Sequence, residues 1–354
     1  MNTYSKVQKT INWGVMMEIK KVPTSKDVAL LAGVSQSTVS RAFSTHANLA
    51  PETRKKVMDA AQMLNYQPNA LASGLVKSNS DIIAVVKGYT TNWMFSDMLS
   101  EVVYALQQAD KRVIYFEARE DESVDELALK VMRYPIQGLV LMYINLTSEL
   151  TVYCKSREIP VLQIHRHSIS SVANAVLPDN YRAASMAAEL FIRNGYKEFI
   201  YLSGETNSST NMERQMGFTK TLQDNGVKKP IVLKGDYTYE TASKVIRKHA
   251  AEIKKPFAIL CANDLMAFAT IDVLKYEFNL QVGEDFAVVG FDNLNMCDWP
   301  SYELTSFKQP LEQMVKEGID VLLKNIEDKT LLPVEKRYSM TLIERKSTKG
   351  RRNL

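Results

Sequence analysis

The strongest constraint on the fold is an alternation that fills the chain after residue 80. Short apolar runs alternate there with longer amphipathic stretches. The apolar runs are residues 82–86, 112–116, 138–142, 161–165, 199–203, 231–234, 257–261 and 287–291. The amphipathic stretches include residues 99–109, 183–193, 212–225 and 265–277. Apolar strands that alternate with helices predict parallel sheets covered by helices on both faces. So many strands exceed one core and predict two α/β lobes.

A different pattern lies before this region, where residues 26–43 read KDVALLAGVSQSTVSRAF. Ser25 is the predicted N-cap of a first helix, because its hydroxyl can accept a hydrogen bond from the first free backbone N–H groups. Gly33 follows that helix, at a position where glycine adopts a left-handed backbone at little cost. A second helix is predicted over residues 36–43, with Val39 on its buried face. This spacing is typical of a helix-turn-helix.

The exposed face of the second helix would carry side chains that hydrogen-bond DNA bases, since arginine pairs with guanine, glutamine with adenine and serine with several bases. We predict that Gln36, Ser37 and Arg41 contact bases. The side chains predicted to contact phosphates are Thr24, Ser35, Thr38 and Ser40. The alternative is a helical hairpin of small residues in an ordinary core, in which the Ser and Thr residues are helix caps.

The distribution of charge favours the DNA-binding interpretation. Residues 1–77 hold ten Lys or Arg against four Asp or Glu, whereas the whole chain has a net charge of only +4. A predicted third helix begins at Pro51 and places Arg54, Lys55 and Lys56 near its start, where side chains and free N–H groups can hold phosphate. A basic N-terminal region on a nearly neutral body indicates a polyanionic partner for that region alone.

The segment after the third helix completes the pattern, because it reads NYQPNALASGL from Asn65 to Leu75. With the helix-turn-helix before it and the α/β region after it, this NYxPNxxAxxL segment resembles the lactose/galactose-repressor family of bacterial transcription regulators. The resemblance covers the chain from about Val22 onward. It implies a hinge that includes Asn69, Ala72 and Leu75, becomes helical on operator DNA and inserts the leucine into the minor groove.

The resemblance also implies the domain organisation. We expect a disordered extension at residues 1–21, an all-α helix-turn-helix headpiece at 22–68, a hinge helix and linker at 69–79, and an effector-binding and dimerisation domain at 80–354. That domain looks like a two-lobed, type I periplasmic-binding-protein fold with parallel sheets covered by helices. Its N-lobe is expected at about 80–194 and 309–336, and its C-lobe at about 195–307 and 338–354. The expected crossings between the lobes are near Gly195, Phe307 and Arg337, and the expected natural start is Met16 or Met17.

Ligands of open α/β sheets bind just beyond the carboxyl ends of the strands. Polar residues at such positions are Asp179, Asn263, Asp264 and Asp292, and Arg214 opens a helix after a loop rich in Ser and Asn. Donors and acceptors of this kind suit a polyol or a purine. The alternative for the carboxylate and amide side chains is helix capping. We favour capping for Asp264 and leave both roles open for Asp179.

The family resemblance sharpens this site. The segments around these residues are similar to the family's VxxDNxxR, RxxGF, AND and VGFD motifs. The resemblance implies that Asp179, Arg214, Asn263 and Asp292 contact a small-molecule effector between the lobes. By their position in the family pattern, Phe95 and Tyr237 join the effector site. Packing at the rim of the cavity is the alternative for Tyr237, and a solvated surface charge is the alternative for Arg214.

Several other classes of site and protein have little support. The strand-to-helix turns lack GxGxxG and GxxxxGK[ST], and no set of nucleophile and base has local sequence support, so we predict no cofactor and no enzyme. His165 and His167 are not joined by a cluster of carboxylates or cysteines, and we expect structural histidines rather than a metal site. The three cysteines are widely spaced, which suits a reducing cytoplasm. The apolar runs are too short to span a membrane, and the N-terminus resembles no signal peptide.

The sequence therefore predicts a cytoplasmic transcription regulator, specifically a repressor that binds a pseudo-palindromic operator as a homodimer. Its effector is expected to be a sugar or a sugar derivative, with a purine or nucleoside as the alternative class. A transport-type solute-binding protein would share the body but not the headpiece, and it is the rival interpretation. A sugar- or nucleoside-processing enzyme is the second rival.

Overall fold

The computed structural model describes residues 23–43, 48–67, 81–119, 122–144, 147–167 and 173–349. The chain divides into two compact units, Met1–Ser80 and Asp81–Leu354. The first unit contains the helix-turn-helix segment, and the second contains the α/β region. The expected N-terminal extension and the hinge residues Asn69, Ala72 and Leu75 lie outside the described residues.

The described part of the first unit contains the helices α1 (Ser25–Ala32), α2 (Gln36–Ala42) and α3 (Pro51–Met63). The prediction that Ser25 caps α1 is wrong by one residue. Thr24 is the N-cap, because its backbone N–H donates to the carboxylate of Asp27 at 2.7 Å as part of a capping box. Gly33 ends α1 with φ 65°, the left-handed conformation that the sequence predicts.

The headpiece core is made of small and β-branched side chains. Each helix contributes a buried valine, namely Val28, Val39 and Val57. The buried alanines beside them leave room for close helix packing: Ala29, Ala42, Ala60 and Ala61. This packing turns the other face of α2 to solvent, and the exposed residues there are those predicted from the sequence: Gln36, Ser37, Ser40 and Arg41.

The second unit alternates helices and strands. Its described helices are α4 (Met94–Gln108), α5 (Val124–Val131), α6 (Ser148–Ser156), α7 (Asn180–Arg193), α8 (Ser209–Asp224), α9 (Tyr239–His249), α10 (Asp264–Asp272) and α11 (Leu311–Glu327). Its described strands are β1 (Ile82–Lys87), β2 (Arg112–Glu117), β3 (Gly138–Met142), β4 (Val161–Ile164), β5 (Asn174–Pro178), β6 (Glu198–Ser203), β7 (Ile231–Lys234), β8 (Phe257–Cys261), β9 (Phe286–Phe291), β10 (Thr305–Lys308), β11 (Glu335–Tyr338) and β12 (Thr341–Ile343).

The described strands form two six-stranded sheets, one in each lobe. The N-lobe sheet has the order β11-β5-β4-β3-β1-β2, and all of its pairs are parallel. The C-lobe sheet has the order β12-β10-β9-β8-β6-β7, in which only β12 pairs antiparallel. Every residue of β1, β3, β8 and β9 is buried, because helices cover both faces of these interior strands. The prediction of two α/β lobes with parallel sheets is confirmed.

The first crossing between the lobes comes earlier than predicted. The sequence places it near Gly195, whereas α7 already packs against α8 of the C-lobe. A side-chain carbon at Gly217 of α8 would lie 2.2 Å from the carbonyl oxygen of Tyr181 in α7, so the two helices touch along their backbones. The chain therefore crosses at Asp179, between β5 and α7. The other crossings follow β10 and β11, within a few residues of the predicted positions.

Candidate ligand pocket and nucleic-acid interface

A cavity lies between the two lobes, at the carboxyl ends of strands from both sheets. It is lined by Thr90, Asn92, Phe95, Tyr143, His165, Arg166, Arg214, Tyr237, Asn263 and Asp292. Five of the six residues predicted for the effector site meet here: Phe95, Arg214, Tyr237, Asn263 and Asp292. The position matches the general rule that open α/β sheets bind ligands beyond their strand ends.

Asp179 is the predicted residue that does not line this cavity. It caps α7, since its Oδ1 accepts a hydrogen bond from the backbone N–H of Arg182 at 3.0 Å. The next residue, Asn180, reaches the cavity region instead, because its Oδ1 accepts from Nε of Arg214 at 2.8 Å. Of the two roles that the sequence leaves open for Asp179, capping is the one that the structure displays.

Arg214 is held rigidly beneath the cavity. Besides its bond to Asn180, it donates from Nη1 to the backbone carbonyl of Ala262, and its guanidinium lies 3.8 Å from the ring centroid of Phe291. The side chain is only 1% exposed, and its Nη2 has no hydrogen-bond partner among the described residues. Arg214 therefore has one buried donor to offer to a ligand.

Asp292 joins the two lobes through its carboxylate. Its oxygens accept hydrogen bonds from Nδ2 of Asn92 in the N-lobe at 2.6 Å and from Nε2 of Gln309 beside the second crossing at 2.8 Å. Burial raises the pKa of Asp292, while the Arg214 cation and these two donors lower it. A ligand that disturbs this carboxylate would act directly on the contact between the lobes.

Asn263 has the capping role that the sequence predicts for Asp264, and it also lines the cavity as predicted. Asn263 caps α10, because its Oδ1 accepts from the N–H of Met266 at 3.0 Å, and it also donates to the carbonyl of Tyr237 at 3.0 Å. The capping prediction for Asp264 is wrong. Its fully buried carboxylate accepts from the Ser306 hydroxyl at 2.6 Å and the Leu294 N–H at 2.9 Å. Burial and the neighbouring Asp292 raise the pKa of Asp264 to about 7.

Tyr237 lies against the backbone of the C-lobe. Its φ is 61°, and a side-chain carbon added at Gly204 would lie 2.1 Å from its ring, so only glycine fits beneath it. Its hydroxyl is 3.3 Å from the Ser208 hydroxyl. The ring thus has a fixed position at one wall of the cavity, and Phe95 and Tyr143 provide two further aromatic rings.

The sequence-based prediction of the site missed five residues that line the cavity: Thr90, Asn92, Tyr143, His165 and Arg166. Tyr143 and His165 follow β3 and β4 directly, so the strand-end rule could have identified them. Burial lowers the pKa of His165 well below its usual value, and the Arg214 and Arg166 cations lower it further, so His165 is neutral at pH 7. Arg166 is only 6% exposed and stacks on Tyr143, with 3.6 Å between its guanidinium carbon and the ring centroid.

The described residues contain no group of His, Cys, Asp and Glu that could hold a metal ion.

In the headpiece, several side chains predicted to contact DNA hydrogen-bond within the unit. Nε2 of Gln36 donates to the Ser25 hydroxyl at 2.7 Å. Ser35 caps α2 by accepting from the N–H of Thr38 at 3.2 Å, and its hydroxyl lies 2.8 Å from that of Ser37. These bonds fix side-chain positions on an exposed surface before DNA arrives.

One basic side chain of α3 has a structural role. Nη1 of Arg54 donates to the carbonyl of Ala42 at 2.5 Å and satisfies an acceptor at the end of α2. Its neighbours Lys55 and Lys56 are exposed and remain candidates for phosphate contacts. Of the three cations predicted near the start of α3, Arg54 is thus already used to join α3 to α2.

Two family models match the chain. The model described as "Bacterial regulatory proteins, lacI family" matches residues 24–69, and a periplasmic binding protein-like domain model matches residues 188–348. The HTH-type transcriptional repressor PurR of Vibrio parahaemolyticus serotype O3:K6 is 30% identical over 312 residues, which cover 86% of this chain and 92% of that protein. The chain belongs to the lacI family. PurR of Vibrio vulnificus is 29% identical over 310 residues, with the same coverage.

Solved structures of the lacI family agree with this assignment. The Lac repressor dimer bound to operator and the anti-inducer ONPF superimposes with a TM-score of 0.84 at 25% identity, covering 93% of this chain and 100% of that chain. The complex of the regulator CelR with cellobiose gives a TM-score of 0.69 at 25% identity, covering 92% and 99%. The protein is thus a DNA-binding transcription regulator, and its relatives are repressors rather than enzymes, as predicted. None of the helices in the described ranges is long and apolar enough to cross a membrane.

Proposed function

We propose that this lacI-family member is a homodimeric repressor whose operator affinity is set by a small molecule bound between its lobes. The observation that carries the proposal is the combination, in one chain, of an exposed recognition face on α2 with a polar cavity at the junction of two lobes. A transport-type binding protein needs the cavity but has no use for the headpiece. Eight relatives that are 28–30% identical to this chain are all transcriptional repressors.

The homodimer follows from the size of one headpiece. A single small DNA-binding module buries roughly 600–1,000 Å² of protein surface on DNA, which is too little for tight specific binding. Two headpieces related by a two-fold axis would read half-sites about 10–10.5 base pairs apart or a multiple of that spacing. Selection of bound duplexes from a random library tests this. A pseudo-palindrome is expected with the full chain, and no enrichment is expected with residues 81–354 alone. A single asymmetric site would contradict the dimer.

We assign base contacts to Gln36, Ser37 and Arg41. Phosphate contacts are assigned to Thr24, Ser35, Thr38 and Ser40. The residues assigned to base contacts, Gln36, Ser37 and Arg41, are exposed on one face of α2, which supports their assignment. Gln36 must exchange its bond with Ser25 for a bond to a base edge, so its contribution is smaller than that of the exposed Arg41. Asn69, Ala72 and Leu75 are proposed as the hinge that enters the minor groove.

For the effector, the chemistry of the cavity favours a purine base or nucleoside over the sugar expected from the sequence. Sugar hydroxyls need free acceptors as well as donors, yet both oxygens of Asp292 already accept hydrogen bonds from Asn92 and Gln309. A planar heterocycle needs flat apolar walls and few edge contacts, and the rings of Phe95 and Tyr237 supply such walls. The name PurR, which relatives at 29% and 30% identity carry, points in the same direction.

A thermal-shift comparison tests the effector class. Adenine, guanine, hypoxanthine and xanthine, with their nucleosides, are compared with ribose and cellobiose on the full chain. A ligand present at about 100 times its Kd adds roughly 2.7 kcal/mol to the free energy of unfolding. We expect such stabilisation from at least one purine and not from either sugar. Stabilisation by a sugar alone would reject the purine assignment.

A further inference from the structure

The charge of Arg166 is poorly satisfied for a group so deeply buried. Its side chain is 7% exposed, and neither Nε nor Nη2 has a hydrogen-bond partner among the described residues. The guanidinium lies over the face of Tyr143 at 3.6 Å and 5.9 Å from the ring centroid of Tyr237. Rings hold the guanidinium in place, but they cannot accept its in-plane N–H groups.

The negative charge nearest to Arg166 comes from the opposite lobe. Oε2 of Glu205, in the loop after β6, lies 3.0 Å from Nη2 of Arg166, which follows β4 of the N-lobe. Oε1 of the same carboxylate accepts a hydrogen bond from the Tyr143 hydroxyl at 3.0 Å. The Glu205 side chain is 46% exposed, so it can leave for water at little cost, whereas Arg166 cannot.

We propose that Arg166 is an oxyanion subsite of the effector cavity, that Glu205 occupies it in the ligand-free protein, and that the effector carries a phosphate ester that displaces Glu205. The planar guanidinium fork matches phosphate oxygens and forms charge-assisted hydrogen bonds with them. This inference rests on the proposed effector site and adds the charge of the ligand. With a purine in the cavity, the implied ligand is a purine nucleotide.

Other groups around the subsite fit an anion. Nη2 of Arg214 is a second buried donor without a partner in the described ranges, and both Arg166 and Arg214 are close enough to lower the pKa of His165. The Asp292 carboxylate lines the cavity too, but its oxygens are already bonded to Asn92 and Gln309. The cavity lining thus contains two cations, Arg166 and Arg214, and one carboxylate, Asp292, whose oxygens already accept hydrogen bonds from the protein.

Displacement of Glu205 also has a mechanical consequence. Its carboxylate forms an ion pair with Arg166 and accepts a hydrogen bond from the Tyr143 hydroxyl, and both of these residues belong to the N-lobe, so Glu205 bridges the lobes. A phosphate that displaces Glu205 breaks the contacts of Glu205 with Arg166 and Tyr143. It replaces them by contacts between the ligand and Arg166. A ligand shifts a conformational equilibrium only by its differential affinity for the two states, and the exchange of Glu205 for phosphate supplies such a difference.

Inorganic phosphate probes the subsite without knowledge of the rest of the ligand. The measurement is the thermal stability of the full-length protein in phosphate and in chloride at equal ionic strength. We expect a phosphate-specific rise in Tm for the wild type, no rise for Arg166→Gln, and a larger rise for Glu205→Gln, in which the internal competitor has lost its charge. Arg182→Gln is the matched control, because Arg182 forms an exposed ion pair with Glu189. It should respond like the wild type.

A comparison of four ligands separates this inference from the purine proposal. Adenosine, AMP, ribose and ribose 5-phosphate are titrated into wild type and Arg166→Gln by calorimetry. We expect the phosphate ester of a pair to bind at least about tenfold more tightly than its neutral partner in the wild type, and this advantage to vanish in the variant. A preference for AMP over ribose 5-phosphate supports the purine class, whereas the reverse rejects that class and keeps the phosphate subsite.

Three outcomes would overturn the inference. The first is that neutral and phosphorylated partners bind equally well, or that neither phosphate ester binds. The second is a phosphate advantage that survives Arg166→Gln, because the anion would then lie elsewhere. The third is a Glu205→Gln protein that responds to inorganic phosphate no more strongly than the wild type, because Glu205 would then not compete for the subsite.

Discussion

Replacing Arg214 by methionine tests how the cavity is built, because it removes the hydrogen-bonding head of the side chain and keeps most of the apolar stem. In the structure that head satisfies two buried acceptors, Oδ1 of Asn180 and the carbonyl of Ala262. Both of these residues are at most 1% exposed, so water cannot replace the lost donors. The substitution therefore leaves two acceptors without a partner.

The expected cost follows from these two acceptors. Each buried unsatisfied acceptor costs about 1–3 kcal/mol, which gives about 2–6 kcal/mol for Arg214→Met. Removal of a desolvated cation offsets part of this cost. The methionine stem preserves part of the contact with Phe291. We therefore expect the free energy of unfolding to fall by about 2–4 kcal/mol.

Urea unfolding followed by circular dichroism at pH 7 measures this loss. Arg182→Met is the control, because Arg182 is exposed and pairs with Glu189 at the surface, and its change should stay within about 0.5 kcal/mol. Arg214→Lys keeps the charge but replaces the two donating nitrogens, Nε and Nη1, by a single Nζ on a shorter side chain, so it should remain destabilised. A loss below about 1 kcal/mol for Arg214→Met, or full rescue by lysine, would refute the reasoning.

Three further predictions concern DNA and pH. Arg41→Ala should weaken specific binding by about 1–3 kcal/mol and relax the preference at one base pair, and an equal loss on random DNA would show a backbone contact only. Leu75→Ala should reduce the operator bend in a circular-permutation assay and leave effector affinity unchanged. Burial raises the pKa of Asp264 from 3.8 to about 7, so the folded protein binds this proton more tightly and stability should fall as pH rises through that interval. Urea unfolding from about pH 4 to pH 8 should show a much smaller slope for Asp264→Asn.

The apolar runs of the sequence predicted eight of the twelve described strands, including the edge strands β2 and β7, but they did not predict β11 and β12 at the opposite edges. Strands such as β3, β8 and β9 are apolar throughout because helices cover both of their faces. The strands β11 and β12 are short, and β11 reads EKRY. They are strands only because the chain returns to the sheet edges, where Glu335 pairs with Ala175. Such pairing between distant segments leaves no local hydrophobic pattern.

The candidate site shows the same division. The strand-end rule and the family motifs identified Arg214, Asn263 and Asp292, because these positions depend on the fold alone. They assigned the cap of α10 to Asp264 instead of Asn263, since either type of side chain can accept a hydrogen bond from a free N–H group at a helix start. The sequence did not indicate Arg166 as a site residue, because its role depends on Glu205. The C-lobe places Oε2 of Glu205 at 3.0 Å from Nη2 of Arg166.

Coupling between ligand and operator is the central claim, and operator affinity tests it most directly. The measurement is the Kd for the selected duplex at fixed salt, with and without the ligand that stabilises the protein, for the wild type and for Asp292→Asn. Asp292 joins the lobes through Asn92 and Gln309, so the amide should break the coupling and spare the headpiece. We predict a ligand-dependent change of about 5- to 150-fold in the wild type and none in the variant, with equal ligand-free affinities. The account would be contradicted if the ligand left the operator Kd of the wild type unchanged. It would also be contradicted if the ligand changed the operator Kd of Asp292→Asn as much as that of the wild type.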